Sequence, residues 1–397
     1  MRRRVAGCFA LAIFATGCTE HLTQPGECPT FCPGGAAVFR DTVITASFGT
    51  DSSFSGYLSN GELTSVLVSS GGSYGETRGI LRFLQRGDSV IVRDTARTFV
   101  VDSAIIDFTL QAHDTTQANA FVDLYLLPPS VDSNTTQPEL DALMSPDRLI
   151  RAVPVLSSFS SAVYHVVLQG SDLAKIALTP ADSSRLTVGF RIRADGPTAG
   201  RIGAPAAGAA GPVFATYVTA NIADTTLRAQ VITRASDLAL TARVPGVVVD
   251  HSVLVVGGFP VARTFLRFAI PNYLRDSATI IRATLELTGS QPVFGIPADT
   301  AQLVANAILA DFGAKSPVST TRFAVAPMIS GTQSVSLEVA SIVRAWQGTT
   351  PLPTIIRLAL GSEGATFIVP TFASSRSATG MPRLRITYRP PYTFAGL

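Results

Sequence analysis

Cysteine is scarce in this chain. Only Cys8, Cys18, Cys28 and Cys32 occur in 397 residues, so everything beyond residue 32 depends on a packed core rather than on disulfides. Lysine is scarcer still, with only Lys175 and Lys315, and nearly every basic side chain is arginine. Histidine is limited to four residues, of which His113, His165 and His251 lie in the body. None stands in a His-Glu-x-x-His motif, and neither a phosphate loop nor a calcium-loop spacing occurs. A Ser/His/Asp set gathered from distant positions stays open on sequence alone. Paired carboxylates of glycosidase type carry no signal, because many Asp residues meet a separation of roughly 5–10 Å by chance. The expectation is a protein that is not an enzyme and takes no metal or other cofactor. A surplus of positive charge is missing as well. Removing Arg2, Arg3 and Arg4 takes the 31 basic residues to 28, equal to the 28 acidic ones. Nothing in that balance points to nucleic acid as a partner.

Long apolar runs are also missing, with one exception at the start. Arg2, Arg3 and Arg4 precede 11 apolar residues, from Val5 to Ala15, and then Ala15-Thr16-Gly17-Cys18. A bilayer needs roughly 20 helical residues, so this run is too short to span and fits the core of a cleavable signal peptide. The small residues before the cysteine resemble a bacterial lipobox, in which Cys18 would carry the lipid and become the new N-terminus. The other reading is an ordinary signal peptide cut nearby. Lipid chains contribute about 0.8 kcal/mol per buried CH₂ and together anchor stably. Thr19 stands where an Asp often marks inner-membrane retention in such lipoproteins, so the expected site is the outer membrane. Cys28 and Cys32 are four apart and would close a small disulfide loop in an oxidising compartment. A metal there would need more ligands than the nearby His21 supplies.

The rest of the chain reads as two similar halves, marked by four anchors in the same order. Ser65-Val66-Leu67-Val68 returns as Ser252-Val253-Leu254-Val255. Arg78-Gly79-Ile80-Leu81-Arg82-Phe83 returns as Arg263-Thr264-Phe265-Leu266-Arg267-Phe268. Asp102-Ser103-Ala104-Ile105-Ile106 is answered by Asp276-Ser277-Ala278-Thr279-Ile280-Ile281, and Thr216-Tyr217 by Thr387-Tyr388. The resulting division is a signal peptide at 1–17, a tether at 18–40, copies at 41–222 and 228–390 with a linker at 223–227 between them, and a tail at 391–397.

Period-two alternation makes the anchors strands. Ile106, Phe108, Leu110 and Ala112 share one face of the first copy, and Ile281, Ala283, Leu285 and Leu287 one face of the second. Strands with a single apolar face belong to an antiparallel sandwich. The spacing of Val339, Ile342, Val343 and Trp346 predicts a short helix, with Leu173, Ile176 and Ala177 as its counterpart. A further helix is predicted from Pro138 to about Met144. The stretch 196–212, almost wholly Gly, Ala and Pro, reads as a flexible loop, with close backbone approach as the alternative.

Among candidate ligand contacts, Tyr57 and Tyr74 flank Gly-rich turns; the alternative is ordinary surface tyrosine. Trp346 reads as a core residue, with a sugar platform as the alternative. Arg78, Arg82, Arg263 and Arg267 read as an ion-paired sheet face, the alternative being an anion site.

The series Arg-x-x-Leu-Arg-Phe, Ala-Thr-Leu-Glu-Leu, Val-x-x-Ile-Val-Arg-Ala-Trp and Pro-Arg-Leu-Arg-Ile-Thr-Tyr resembles the DNRLRE-type domains of bacterial surface and secreted proteins. It falls at 263–268, 283–287, 339–346 and 382–388. The resemblance implies jelly-roll-like sandwiches related to carbohydrate-binding modules. The expected fold class is therefore all-β, two tandem jelly-roll-like antiparallel β-sandwiches, each with a short helix. The expected function is an exported, lipid-anchored envelope protein whose non-catalytic modules bind a glycan or envelope polymer. The alternative is a structural or assembly protein of the cell surface working through contacts with other envelope proteins.

Overall fold

The computed structural model describes residues 38–58, 62–84, 89–176, 185–220, 222, 227–244, 253–297, 299–348 and 350–391. Cys18, Cys28, Cys32 and His251 lie outside the described residues, as do Ser252 of the first anchor and Ala177.

The protein is mostly β. It begins with β1 (Arg40–Thr45) and β2 (Ser52–Gly56). A first series follows: β3 (Ser65–Ser70), β4 (Gly79–Phe83), β5 (Ser89–Val92), β6 (Thr95–His113), β7 (Phe121–Leu127), β8 (Leu149–Pro154), β9 (Ala162–Leu168), β10 (Leu186–Arg193), β11 (Thr198–Gly203), β12 (Val213–Ala220) and β13 (Leu227–Thr241). The second comprises β14 (Val253–Val255), β15 (Val261–Arg267), β16 (Thr279–Thr288), β17 (Thr300–Ile308), β18 (Val318–Ile329), β19 (Ser334–Glu338), β20 (Ile355–Leu360), β21 (Thr371–Ala373) and β22 (Arg383–Arg389). The α-helices are short: α1 (Gln137–Leu143), α2 (Ser171–Lys175), α3 (Asn272–Asp276) and α4 (Ala340–Arg344).

Two main cores result. One is built from residues between Leu63 and Ala239, the other from Ala46 and residues between Leu254 and Tyr388. Six of their strand pairings coincide. In the first unit β6 pairs with β12 and β9, β10 with β4 and β7, β7 with β8, and β3 with β11. In the second, β16 pairs with β22 and β19, β20 with β15 and β17, β17 with β18, and β14 with β21. Every one of these pairs is antiparallel.

Apart from β5, which pairs with β6, the remaining strands do not follow the division expected from sequence. β13, at the start of the second copy, pairs with β12 and β4 and closes the first unit. β1 and β2, at the start of the first copy, pair with β22 and β15 and close the second. The strands that close each unit, β13 for the first and β1 with β2 for the second, thus belong to the other repeat. Local periodicity identifies a strand but not a partner some 340 residues away, as in the pairing of Asp41 with Thr387.

Register explains two further differences. Leu67 N–H donates to Thr241 Oγ1 (2.9 Å) in the first unit, and Val255 N–H donates to Ser53 Oγ (3.1 Å) in the second. Leu67 therefore matches Val255, one residue off the sequence anchor. Val66 and Val68 then match Leu254 and Val256, all of them core residues. A slip of one residue exchanges the faces of a strand. In β16 the register shifts between Ile280 and Arg282, and this bulge turns Ile281 out to 44% exposure while Ile280 enters the core.

The stretch 196–212 is not a loop. It contains β11 and two short 3₁₀ turns within Pro205–Ala210, joined across a kink at Gly208. β11 lies between β3 and β6, and a Cβ on Gly200 would sit 3.2 Å from Leu110 Cδ1 and 3.3 Å from Ile192 Cδ1. The small residues permit close backbone approach. The helices agree with the periodicity: α1 spans the expected segment, and Val339, Ile342, Val343 and Trp346 around α4 are all buried in the second core.

Candidate binding grooves at the seam of the two units

β3 is buried along five of its six residues because each face meets a core. Val66 and Val68 point into the first unit, whereas Leu67 joins Ala199, Ile296 and Phe367 in a small cluster shared by both units. Tyr74 and Phe259 pack against this cluster. Beside it, Arg201 of β11 is paired with Asp299, which is 6% exposed and also accepts from Thr366 Oγ1 (3.1 Å).

Tyr74 is delivered to the seam by a one-turn 3₁₀ helix, Gly72–Tyr74. Gly71, Gly72 and Gly75 have φ of 77°, 60° and 67°, a left-handed conformation that side chains with a Cβ resist. At Gly72 a Cβ would also stand 2.7 Å from Pro197 Cβ. The Tyr74 ring meets Phe294 at 4.8 Å and Phe367 at 5.7 Å between centroids. Its hydroxyl lies 3.5 Å from Asp114 Oδ2 and 3.4 Å from the Gly295 carbonyl. Burial, together with the charge and hydrogen bond of Asp114, pushes the phenol up to about 12, so it stays a neutral donor.

Tyr57 lies on the other side of Phe259, edge-on to its ring at 5.8 Å. Its hydroxyl donates to the Val244 carbonyl (2.9 Å), and the Arg243 guanidinium sits over its ring at 5.4 Å. Phe259 thus separates two openings. One, about 380 Å³, is lined by Tyr74, Phe259, Phe294 and Phe367, with Glu76 and Gln291 as polar partners. The other, about 310 Å³, is lined by Tyr57, Leu58, Leu63, Arg243 and Phe259. The structure brings both candidate tyrosines to one seam. The three phenylalanines escape a reading of the sequence, because an apolar ring beside a turn looks like any core residue.

The four arginines are engaged. Arg263 grips Glu363 with two bonds of 2.7 Å, and Arg267 reaches Asp311 at 3.0 Å. Arg78 pairs with Asp141 (2.7 Å) and Glu76 (2.8 Å) but is only 2% exposed, so it is buried rather than on an open face. Arg82 donates to Thr187 Oγ1 and to the Pro129 and Val131 carbonyls.

Trp346 is 1% exposed, 6.2 Å from the Phe268 ring, and is a core residue. His165 lies on β9 at the surface, its Nδ1 2.8 Å from Asp107 Oδ1. His113 is buried, and burial lowers its pKa against smaller opposing effects of the Ser160 backbone and Asp114. Gly71-Gly72-Ser73-Tyr74-Gly75 has the spacing of a nucleophile elbow. Such an elbow joins a strand to a helix, with a histidine on the serine. Here Ser73 is exposed in a turn between two strands and makes no hydrogen bond to histidine among the described residues.

No protein-family model matches the chain, and no curated protein matches its sequence.

Proposed function

We propose that this chain is a non-catalytic binding protein of the bacterial envelope, exported and held by a lipid on Cys18, that takes a neutral glycan in the seam beside Tyr74. The observation that carries the binding reading is the seam itself. Aromatic rings from both units converge there with a neutral phenol, the Gln291 amide and the Glu76 carboxylate at hand. Aromatic faces stack on the apolar face of a sugar ring, and a few placed polar groups select its hydroxyls. The resemblance to DNRLRE-type domains, related to carbohydrate-binding modules, agrees with this choice of ligand.

A glycan screen on the purified protein followed by calorimetric titration tests it. Phe294→Ala should weaken the best ligand about tenfold, equivalent to about 1.4 kcal/mol, with the melting temperature little changed. Equal affinity in wild type and variant would remove the seam as the site.

A further inference from the structure

The closing elements of the two units, β13 and the pair β1 and β2, make equivalent pairings but are differently connected. β13 follows β12 after a short link, whereas β22 is met by β1 from the far end of the chain. We propose that the segment 40–56 is a transferable closing strand that also completes the second unit of another copy of this chain, joining copies by strand exchange.

The segment sits at two sheet edges. β1 is the outer strand of the sheet β1-β22-β16-β19, and β2 that of β18-β17-β20-β15-β2. Its withdrawal uncovers β22 and β15 without breaking any other pairing. An uncovered edge is a template for another strand. Little of the segment is core. Ala46 is buried and Ile44 half-buried, while Val43, Phe48 and Phe54 are 46%, 79% and 38% exposed.

What holds the segment is a polar lock specific to this sequence. Asp51 accepts from Ser375 N (2.7 Å), Ser375 Oγ (2.8 Å) and Arg376 Nη1 (3.3 Å), and the Gly49 carbonyl accepts from Arg376 Nη2 (2.8 Å). Ser53 Oγ accepts from Val255 N (3.1 Å) and pairs with Thr264 Oγ1 (2.8 Å). All of these partners belong to the second unit, so the same contacts form when the segment comes from another copy. Exchange of an identical element between protomers is a low-cost route to assembly. Two copies that exchange reciprocally leave neither β22 nor β15 uncovered, so a dimer is the expected product. The lock selects a second copy because a foreign strand would lack Asp51 and leave Ser375 and Arg376 without their acceptor.

Cysteine pairing reads this out. Ala46 N–H donates to the Pro382 carbonyl (3.0 Å), which makes the alternate pair Val43 and Arg385 non-hydrogen-bonded. Cα atoms in such pairs lie about 4.5 Å apart, within disulfide reach. Two full-length copies with different tags, one carrying Val43→Cys and the other Arg385→Cys, are co-expressed under oxidising conditions. The proposal predicts a disulfide-linked heterodimer that disappears on reduction. It must be absent when either variant is paired with wild type, which controls for the native cysteines. Thr45→Cys with Arg383→Cys repeats the test if Arg385→Cys disturbs folding. A chain carrying both cysteines that locks internally, while the mixed copies stay monomeric, overturns the proposal.

Discussion

Trp346 is the largest side chain in the second core and the only tryptophan of the chain. Removing it leaves a cavity against Phe268 and the sheet. Truncation of a buried tryptophan costs about 3–5 kcal/mol, a large part of the roughly 5–15 kcal/mol that stabilises a domain. Trp346→Ala should therefore lower the calorimetric melting point of the second unit by many degrees. The wild-type fluorescence maximum should be that of an indole shielded from water; emission like free indole, with normal melting of the variant, would refute the core assignment. His113 makes a second prediction. Its folded pKa lies below the ordinary 6.5, so below that pH the unfolded chain binds more protons. The stability it contributes is full above about pH 6.5 and is lost as pH falls. His113→Leu should flatten the melting-point decline measured between about pH 6.5 and 5. An unchanged decline would assign the acid sensitivity elsewhere.

At the scale of elements, composition and geometry part company in β11. Its Gly and Ala residues suggest a loop, yet the strand is buried on both faces, Gly200 and Ile202 against the first core and Ala199 in the cluster at the seam. Gly200→Val should destabilise the first unit by about 1–3 kcal/mol through overpacking against Leu110 and Ile192, as measured by denaturant titration. A neutral result would mean that the neighbours give way. Alternation in sequence reveals most strands and the α4 stripe, since both are local patterns. It does not reveal the bulge that turns out Ile281, because one inserted residue inverts the phase. Nor does it reveal the register of β14, where Leu254 rather than Val253 matches Val66. Of the seam, the glycine-framed tyrosines are readable and the phenylalanines that surround Tyr74 are not. Their place depends on the packing of one unit against the other.

At the scale of the whole molecule, two units with six matching strand pairings are tied together in several ways among the described residues. They share the apolar cluster around Leu67 and Phe367 and the ion pair of Arg201 with Asp299. They also share a chain whose first strands close its last unit. The described openings beside Phe259 are lined by residues of both units, so the proposed binding surface depends on how the units are held together. Hydrogen–deuterium exchange on the full chain and on one lacking residues 38–56 tests the closure of the second unit by β1 and β2 most directly. Amides of β15 and β22 should lose protection in the shortened chain, while those of β4 and β12, closed by β13, keep theirs. Equal protection of β15 and β22 in both chains, or equal loss in both units, would contradict the closure of the second unit by the N-terminal strands.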